Sequence, residues 1–244
     1  MLCPHLEKII NAKTISQLDS SLEKYLKHEG ITHFAFTFYN QELNSHHQLK
    51  HSFSTAAYRN WNTHYHEEKY TDSDSSTQSS YHSCVPIYWN CADQLKNACT
   101  EKEKQMRLDS IEYGAEEGLC IPVHGPHYDF GILVIVQMQG QRFMQDWQNK
   151  QPRWINLALM YFNRLRQLRQ QAHSKDTSCA LNQRQIQCLQ LTADNYHIQQ
   201  IAEKLNLSVR TVNYHLHKAN KILGARNKHQ AVAIANSLGY LLTK

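Results

Sequence analysis

The sequence predicts an α+β fold for residues 1–170 and an all-α fold for residues 179–244, joined by a short linker. In the first part, helical and alternating apolar patterns are interspersed without the regular spacing of βαβ units, which favours an antiparallel sheet. In the last part, the apolar patterns have the helical period. The stretch between the two parts, 171–178, is almost entirely polar and is typical of a linker.

The first predicted elements are a helix and a strand. Residues 15–30 place apolar side chains at helical intervals, Ser16 can cap the helix, and Gly30 can end it with a positive φ. Residues 34–38 alternate, with phenylalanine at every second position, and this pattern predicts a half-buried strand.

The following patterns complete the expected sheet and its helices. A second helix carries Trp61 and Tyr65 on one face, and the Ser-, Thr- and Asp-rich residues 71–80 are expected to form a loop. The remaining predicted elements are a short strand at 85–89, a charged helical stretch at 93–109, a hairpin of strands at 119–123 and 130–136, and a long helix at about 144–171.

Composition excludes several classes of protein. The longest apolar run, 131–136, is too short to span a membrane, and the N-terminus lacks the layout of a signal peptide. The seven cysteines are scattered and form no CxxC motif. This pattern argues against a disulfide framework and favours a reducing, cytoplasmic location.

Positive charge is concentrated at the C-terminal end. Residues 175–244 contain nine Lys and Arg residues against three Asp and Glu residues, although the whole chain has a net charge of only +5. A basic tail behind a nearly neutral region suggests binding to a polyanion, and a solvated surface is the alternative.

The pattern within this basic part favours a helix-turn-helix. A tight turn at 206–208 ends in a serine that can cap a helix from 209 to about 223. That helix has one apolar face and one polar face, so its polar side could enter the major groove of DNA. Arg and Lys would neutralise phosphates, and Asn could pair with adenine. Periodicity alone also allows a plain amphipathic helix on the surface of a small bundle.

Residues 179–244 resemble the LuxR-type DNA-binding domain, which implies a four-helix domain. The resemblance rests on the motifs Leu181–Leu189, Ile201-Ala202, Leu207-Ser208, Thr211-Val212, His215-Leu216, Lys221–Leu223 and Asn227–Val232. Two residues depart from the family pattern: Gln185 replaces a glutamate that helps tie the helices together, and Asn195 replaces a glycine. The candidate DNA-binding residues are Arg210, Thr211, Asn213, Tyr214, His217, Lys218 and Lys221.

The N-terminal part resembles a sensor domain. Phosphorylation receivers need clustered acidic residues after their first strand, but here that strand is followed by Tyr39-Asn40-Gln41, and no GxxxxGK[ST] motif of an ATPase is present. The spacing Trp61-x₃-Tyr65-x₈-Asp74-x₁₄-Trp89 instead is similar to that of the autoinducer-binding domain of LuxR-type quorum-sensing regulators, as is the segment from Tyr113 to Pro126. This resemblance implies an α-β-α sandwich that binds an acyl-homoserine lactone.

The chemistry of the four spaced residues suits such a ligand. A buried amide without a partner costs about 1–3 kcal/mol, so the pocket must supply hydrogen bonds. Asp74 can accept from the single amide N–H, and Trp61 can donate to the lactone carbonyl. Tyr65 and Trp89 offer flat apolar walls. Without the family spacing, Trp61 and Tyr65 would be interpreted as ordinary core aromatics.

Three departures from the family pattern concern the ligand. Ala57 stands where the family has a polar residue such as tyrosine, with Tyr58 one position later, and Ser75 replaces a proline. The second hairpin strand offers no Ser or Thr, having Val134 at its centre. These changes suggest altered head-group geometry, a different acyl ligand or weakened lactone binding. The alternative is an orphan regulator of the same type that binds DNA without a lactone or responds to a different ligand.

An enzyme is the hypothesis from a different class. The sixteen histidines, with Cys84, Cys91 and Cys120, could suggest a metal-dependent hydrolase, but no HExxH or CxxC motif frames them. We therefore expect no catalytic activity, no metal and no cofactor other than the ligand. The resemblance implies a homodimer that binds palindromic double-stranded DNA, with the helix near 144–171 at the partner contact.

Overall fold

The computed structural model describes residues 4–40, 48–126, 129–138, 146–173 and 181–241. The chain divides into two compact units, with the division after Gln171. The first unit contains a five-stranded antiparallel sheet in the order β2-β1-β5-β4-β3, and helices cover both of its faces. The predicted α+β fold with an antiparallel sheet is therefore confirmed.

The strands are β1 Phe34–Asn40, β2 Gln48–Ser54, β3 Ile87–Asn90, β4 Ala115–His124 and β5 Phe130–Met138. The helices of the first unit are α1 Pro4–Ile10, α2 Ile15–His28, α3 Arg59–Glu67, α4 Ser75–Tyr81, α5 Cys91–Asn97, α6 Glu101–Glu112 and α7 Trp147–His173. Short 3-10 turns at Ala56–Tyr58 and Tyr70–Asp72 precede α3 and α4. None of the helices described is long and apolar enough to cross a membrane.

The sheet has two buried faces, each with its own core. On one face, side chains such as Phe36 pack against α1, α2 and α7. On the other face, residues such as Ala35 and Ile132 pack against α3 to α6. The strand predicted at 34–38 is confirmed as part of β1, but it is buried on both faces and not on one, because Ala35 and Thr37 are buried on the second face. This second face holds the candidate site.

Three predictions about local structure need correction. Thr14, not Ser16, caps α2, since its side chain accepts a hydrogen bond from the Gln17 amide. The expected loop at 71–80 contains α4, which forms because Asp74 caps it and its small polar residues pack closely on the sheet. The expected linker starts later than residue 171, since α7 continues to His173.

Some of the remaining boundaries lie outside the described residues. These are the first residues of the long helix predicted at 144–171, namely 144 and 145, and residues 174–178 of the predicted linker. The structure also adds β2 and α1, which the sequence patterns did not predict, and divides the helical stretch at 93–109 into α5 and α6.

Between residues 181 and 241, the second unit has four helices around its own core: α8 Gln183–Ala193, α9 Ile198–Leu205, α10 Val209–Ile222 and α11 Lys228–Ser237. Asn195 has a φ of 63°, as expected for a residue that replaces glycine at a helix end. Ser208 caps α10 through the Thr211 amide, as the sequence predicts. Gln185 is buried and completes a capping box with Asn182, so it fixes the start of α8 without a charge.

Candidate functional site

A cavity of about 60 Å³ lies between the second face of the sheet and helices α3, α4 and α6. All four residues of the predicted sensor motif line it: Trp61, Tyr65, Asp74 and Trp89. The sheet contributes apolar and small polar side chains, including Val134 of β5. Residues from separate elements thus meet at one buried site.

Trp61 and Tyr65 form the aromatic wall on α3. Their ring centroids are 6.0 Å apart, as expected for positions i and i+4 of a helix. Trp61 also stacks on Tyr70, with a centroid distance of 6.3 Å, and lies 5.4 Å from the ring of Tyr113. These contacts hold the Trp61 ring in one orientation, which a donor for a ligand carbonyl requires.

Trp89 is positioned by the pairing of β3 with β4. It lies opposite Gly118 in this pair, and only 6% of its surface is exposed. A Cβ atom at Gly118 would lie 2.5 Å from the Trp89 ring and would also collide with the carbonyl oxygen of Ile135. The absence of a side chain at Gly118 is therefore what lets the indole lie against the sheet.

Asp74 accepts four hydrogen bonds from the protein. Its Oδ1 accepts from the Ser76 amide at 3.0 Å and from Arg107 Nη2 at 2.7 Å. Its Oδ2 accepts from the hydroxyls of Thr77 at 2.8 Å and Tyr65 at 3.0 Å. A carboxylate has about four acceptor sites, so these donors fill them.

One of these hydrogen bonds has a ready alternative. The Tyr65 hydroxyl oxygen also lies 3.2 Å from Thr77 Oγ1. Since Thr77 donates its own proton to Asp74, its oxygen can accept from Tyr65. A turn of the Tyr65 hydroxyl towards Thr77 would release one acceptor site on Asp74 and leave no polar group unpaired.

Arg107 is the site residue that the sequence analysis missed. It lies on α6, lines the cavity, and its side chain is only 6% exposed. Its helix buries Glu103, Met106, Arg107 and Ser110, so the buried stripe is partly charged and resembles a solvent-facing one. The sequence gives no signal for it, because two of the four residues in this stripe, Glu103 and Arg107, are charged.

Tyr58 places a phenol in the cavity, although Ala57 stands at the position where the family pattern has a polar residue such as tyrosine. Ala57 is exposed in a 3-10 turn, whereas Tyr58 is buried and lines the cavity. Burial raises the pKa of Tyr58 well above its ordinary value, so its hydroxyl stays protonated. The substitution at Ala57 therefore does not remove a phenol from the cavity.

The titratable groups of the cavity wall favour their neutral forms. Burial, followed by the Asp74 charge, raises the pKa of the Tyr65 hydroxyl well above its usual range. The same two causes raise the pKa of the Cys120 thiol. Burial lowers the pKa of His66. Beside these groups, Asp74 and Arg107 form the ion pair of the wall.

A partly buried carboxylate on α6, Asp109, supports the aromatic wall. Asp109 accepts from the Tyr70 hydroxyl at 2.6 Å and lies 2.8 Å from His64 Nε2. Burial opposes the charge of Asp109, but the hydrogen bonds from His64, Tyr70 and Gln105 outweigh it and lower its pKa. This network ties α3, the Tyr70–Asp72 turn and α6 together behind Trp61.

In the second unit, the polar face of α10 is open to solvent. Val212, Leu216 and Ala219 are buried on the opposite face, as the apolar pattern predicts. Thr211 is half-buried and its hydroxyl lies 2.8 Å from that of Ser208, which places it at the cap of the helix. The exposed candidate DNA-binding residues are Arg210, Asn213, Tyr214, His217, Lys218 and Lys221.

The two features of this helix that bear on nucleic-acid binding are its charge and its Tyr214 ring. The ring is 54% exposed, and the Lys218 ammonium lies over it at 5.1 Å from the centroid.

Metal binding has no comparable basis: the described residues contain no group of three His, Cys, Asp or Glu residues that could hold an ion.

Comparison with known proteins yields two family matches. Residues 14–165 match the autoinducer binding domain, and residues 180–235 match the bacterial regulatory proteins of the luxR family. The transcriptional activator protein AhyR of Aeromonas hydrophila is 29% identical over 160 residues, which are 65% of this chain. The match spans 61% of the length of AhyR, which is less than two thirds of that relative.

Solved structures show the same fold. A crystal structure of Escherichia coli SdiA aligns with a TM-score of 0.78 at 16% identity, covering 98% of this chain and 96% of SdiA. A structure of SdiA in complex with octanoyl-rac-glycerol aligns with a TM-score of 0.75 at 17% identity, covering 98% and 95%. Since the autoinducer binding domain match alone covers more than half of the chain, the chain belongs to the LuxR family and combines that domain with a LuxR-type regulatory domain.

Proposed function

We propose that the chain is a DNA-binding transcription regulator whose first unit senses a neutral acylated signal, in the first instance an acyl-homoserine lactone. The observation that supports it most directly is the convergence of Trp61, Tyr65, Asp74 and Trp89 on one buried cavity. A sensor and a DNA-binding unit on one chain allow ligand binding to bias DNA binding.

In this proposal the lactone head group lies between α3 and α4. Its amide N–H donates to Asp74 Oδ2 after the Tyr65 hydroxyl turns towards Thr77, a movement that the 3.2 Å separation permits. Trp61 donates to the lactone carbonyl, and Trp89 packs against the ring. The amide N–H and the lactone carbonyl then each have a partner, which burial requires.

The acyl chain requires the cavity to widen. Pockets for drug-sized ligands measure about 300–1,000 Å³, whereas this cavity measures about 60 Å³. The acyl chain of the ligand would lie along the apolar surface that Ile132 and Val134 of β5 provide. We therefore propose that ligand binding separates the helical layer from the sheet and orders it in a new position.

The second unit is proposed to place α10 in the major groove. Its exposed cations would bind phosphates, and Asn213 and His217 would contact base edges. We further propose a homodimer on palindromic DNA, in the cytoplasm. The exposure of Leu159 on α7, 47% of its surface, supports a partner contact on that helix.

A regulator that binds DNA without a lactone is the second candidate. It is favoured by the saturation of Asp74, whose four acceptor sites are filled by protein donors, including a buried Arg107. A carboxylate that is already satisfied has less to gain from a ligand amide. In that case the cavity would hold another acylated molecule or serve only as a core.

Titration calorimetry with acyl-homoserine lactones of increasing chain length tests the proposal. We expect binding to the wild type, a ten- to hundredfold loss in Asp74→Asn, and a smaller loss in Trp61→Phe, which keeps the ring wall and loses only the N–H. If no lactone binds while the protein still binds DNA, the second candidate replaces the first. If Asp74→Asn binds lactones as well as the wild type, the proposed head-group position is wrong.

A further inference from the structure

Arg107 carries a donor for which the described part of the chain provides no partner. Its Nη2 pairs with Asp74 Oδ1 at 2.7 Å and lies 3.3 Å from Ser75 Oγ. Its Nε is fully buried, and none of the described residues accepts a hydrogen bond from it. A buried charged donor without an acceptor is costly, so this N–H requires an acceptor from outside the residues that the structure describes.

The position of Nε indicates where that acceptor would lie. Arg107 lines the same cavity as Asp74. The Nε and Nη2 atoms of its guanidinium group are bonded to the same carbon, Cζ. A ligand oxygen that accepts a hydrogen bond from Nε would therefore lie near Nη2, the nitrogen that pairs with Asp74. In a ligand whose amide donates to Asp74, the adjacent oxygens are those of the acyl arm.

The charges around the cavity select a neutral ligand. Asp74 and Arg107 neutralise each other, and the next carboxylate, Glu103, lies 3.9 Å from Arg107. An additional ligand carboxylate would enter a buried region that already holds two acidic groups for one guanidinium. A carbonyl oxygen has no such cost and accepts well from a charged donor.

We propose that Arg107 Nε donates a hydrogen bond to a carbonyl oxygen on the acyl arm of a neutral ligand, so that Arg107 determines which acylated signals bind. This inference rests on the proposed ligand-sensing function and specifies the chemistry of its ligand. The carbonyl is either the one that joins the acyl arm to its head group or a 3-oxo group.

Substitution of Arg107 by lysine isolates the role of Nε. Lysine keeps a positive charge for Asp74 but has no donor at the Nε position. The matched control is Arg166→Lys, because the Arg166 side chain of α7 is only 11% exposed and pairs through its Nε with Asp129 away from this cavity. Arg107→Gln, which can still donate to Asp74, serves as a second variant if the lysine variant does not fold.

Calorimetry would use three probes: N-octanoyl-homoserine lactone, N-(3-oxooctanoyl)-homoserine lactone and 1-octanoylglycerol. The last probe has an ester carbonyl but no amide. We expect Arg107→Lys to weaken binding about ten- to hundredfold, and Arg166→Lys to change it less than threefold. An equal loss of affinity for all three probes would identify the acyl carbonyl that they share as the partner of Arg107 Nε. A loss of affinity confined to the 3-oxo lactone would identify its 3-oxo oxygen as that partner.

The outcomes separate the inference from the proposed function. Binding of every probe within threefold of wild type in Arg107→Lys overturns the role of Arg107 and leaves lactone sensing intact. If the wild type binds octanoylglycerol but neither lactone, lactone sensing is wrong, and weaker octanoylglycerol binding by Arg107→Lys still supports the inference. If the wild type binds no probe, both are overturned.

Discussion

Arg107 Nη2 lies 2.7 Å from Asp74 Oδ1, and both side chains are at least nine-tenths buried. This pair joins α6 to the N-cap of α4, and β3 and α5 separate the two helices in sequence. Removing charges from water is costly, so the pair is maintained only because the carboxylate is also saturated by hydrogen bonds. The pair makes the cavity wall a structural unit as well as a candidate binding surface.

The first prediction concerns the stability that the Asp74–Arg107 pair gives to the first unit of the chain. Asp74→Asn should destabilise the first unit by about 3–5 kcal/mol, because it leaves the buried Arg107 charge without its partner. Asparagine is as good a helix cap as aspartate, so the loss reports the charge and not the cap. Urea unfolding followed by tryptophan fluorescence measures it, since all four tryptophans precede residue 171.

The matched control for this measurement is Asp93→Asn. Asp93 pairs with Lys96 on α5 at 3.1 Å, but both side chains are more than 70% exposed. Its loss should cost less than about 1 kcal/mol. Equal destabilisation by the two variants would show that Asp74 and Arg107 do not form a coupled buried pair.

The second prediction tests how the sheet accommodates Trp89. Gly118→Ala should destabilise the first unit by about 1–3 kcal/mol, because the added methyl group would overlap the indole and the Ile135 carbonyl. The tryptophan emission should also shift as Trp89 is displaced. Unchanged unfolding and unchanged emission would mean that β3 and β4 are not in the register described.

The third prediction concerns pH. The pKa of Asp109 is lowered in the folded state, so its contribution to stability is complete above the unfolded value of about 3.9 and is lost as the pH falls through the lower folded value. Below about pH 4, wild type should therefore lose stability more steeply than Asp109→Asn. Parallel curves of unfolding free energy against pH for the two proteins would contradict this assignment.

Much of the fold could be predicted from the sequence because its signals are local. The hairpin of β4 and β5, the helix at α7 and the turn before α10 follow from periodicity and capping residues. The predictions failed where tertiary packing decided the outcome. Residues 75–81 are polar and lack a helical apolar face, yet they form α4 because Asp74 caps them and the sheet buries them.

The candidate site was predicted in part for a similar reason. Trp61, Tyr65, Asp74 and Trp89 have a spacing that a family pattern preserves, and the structure brings them to one cavity. Arg107 could not be found in this way, because a charged residue on a charged helix predicts a solvated surface. Only the packing of α6 on the sheet shows that this face is buried.

The fourth prediction separates phosphate contacts from base contacts on α10. Arg210→Ala, Lys218→Ala and Lys221→Ala should weaken specific and non-specific DNA binding alike, and each should reduce the salt slope by about one. Asn213→Ala and His217→Ala should instead reduce the preference among sequences. Arg184→Ala is the charge-matched control on α8 and should leave the salt slope unchanged. Wild-type affinity in all five variants would contradict the docking of α10.

The last prediction concerns the independence of the second unit. In the part of the chain that the structure describes, its core is built from residues between Leu181 and Leu241, so residues 175–244 should fold without the first unit. The isolated unit should bind DNA, but far more weakly than the full chain, because a proposed dimer holds the second half-site contact at a high effective concentration. Circular dichroism and fluorescence anisotropy with palindromic and half-site DNA measure these two properties. An unfolded fragment would show that the second unit depends on the first for its stability. A fragment that binds the palindrome as tightly as the full chain would show that the first unit contributes nothing to dimerisation on DNA.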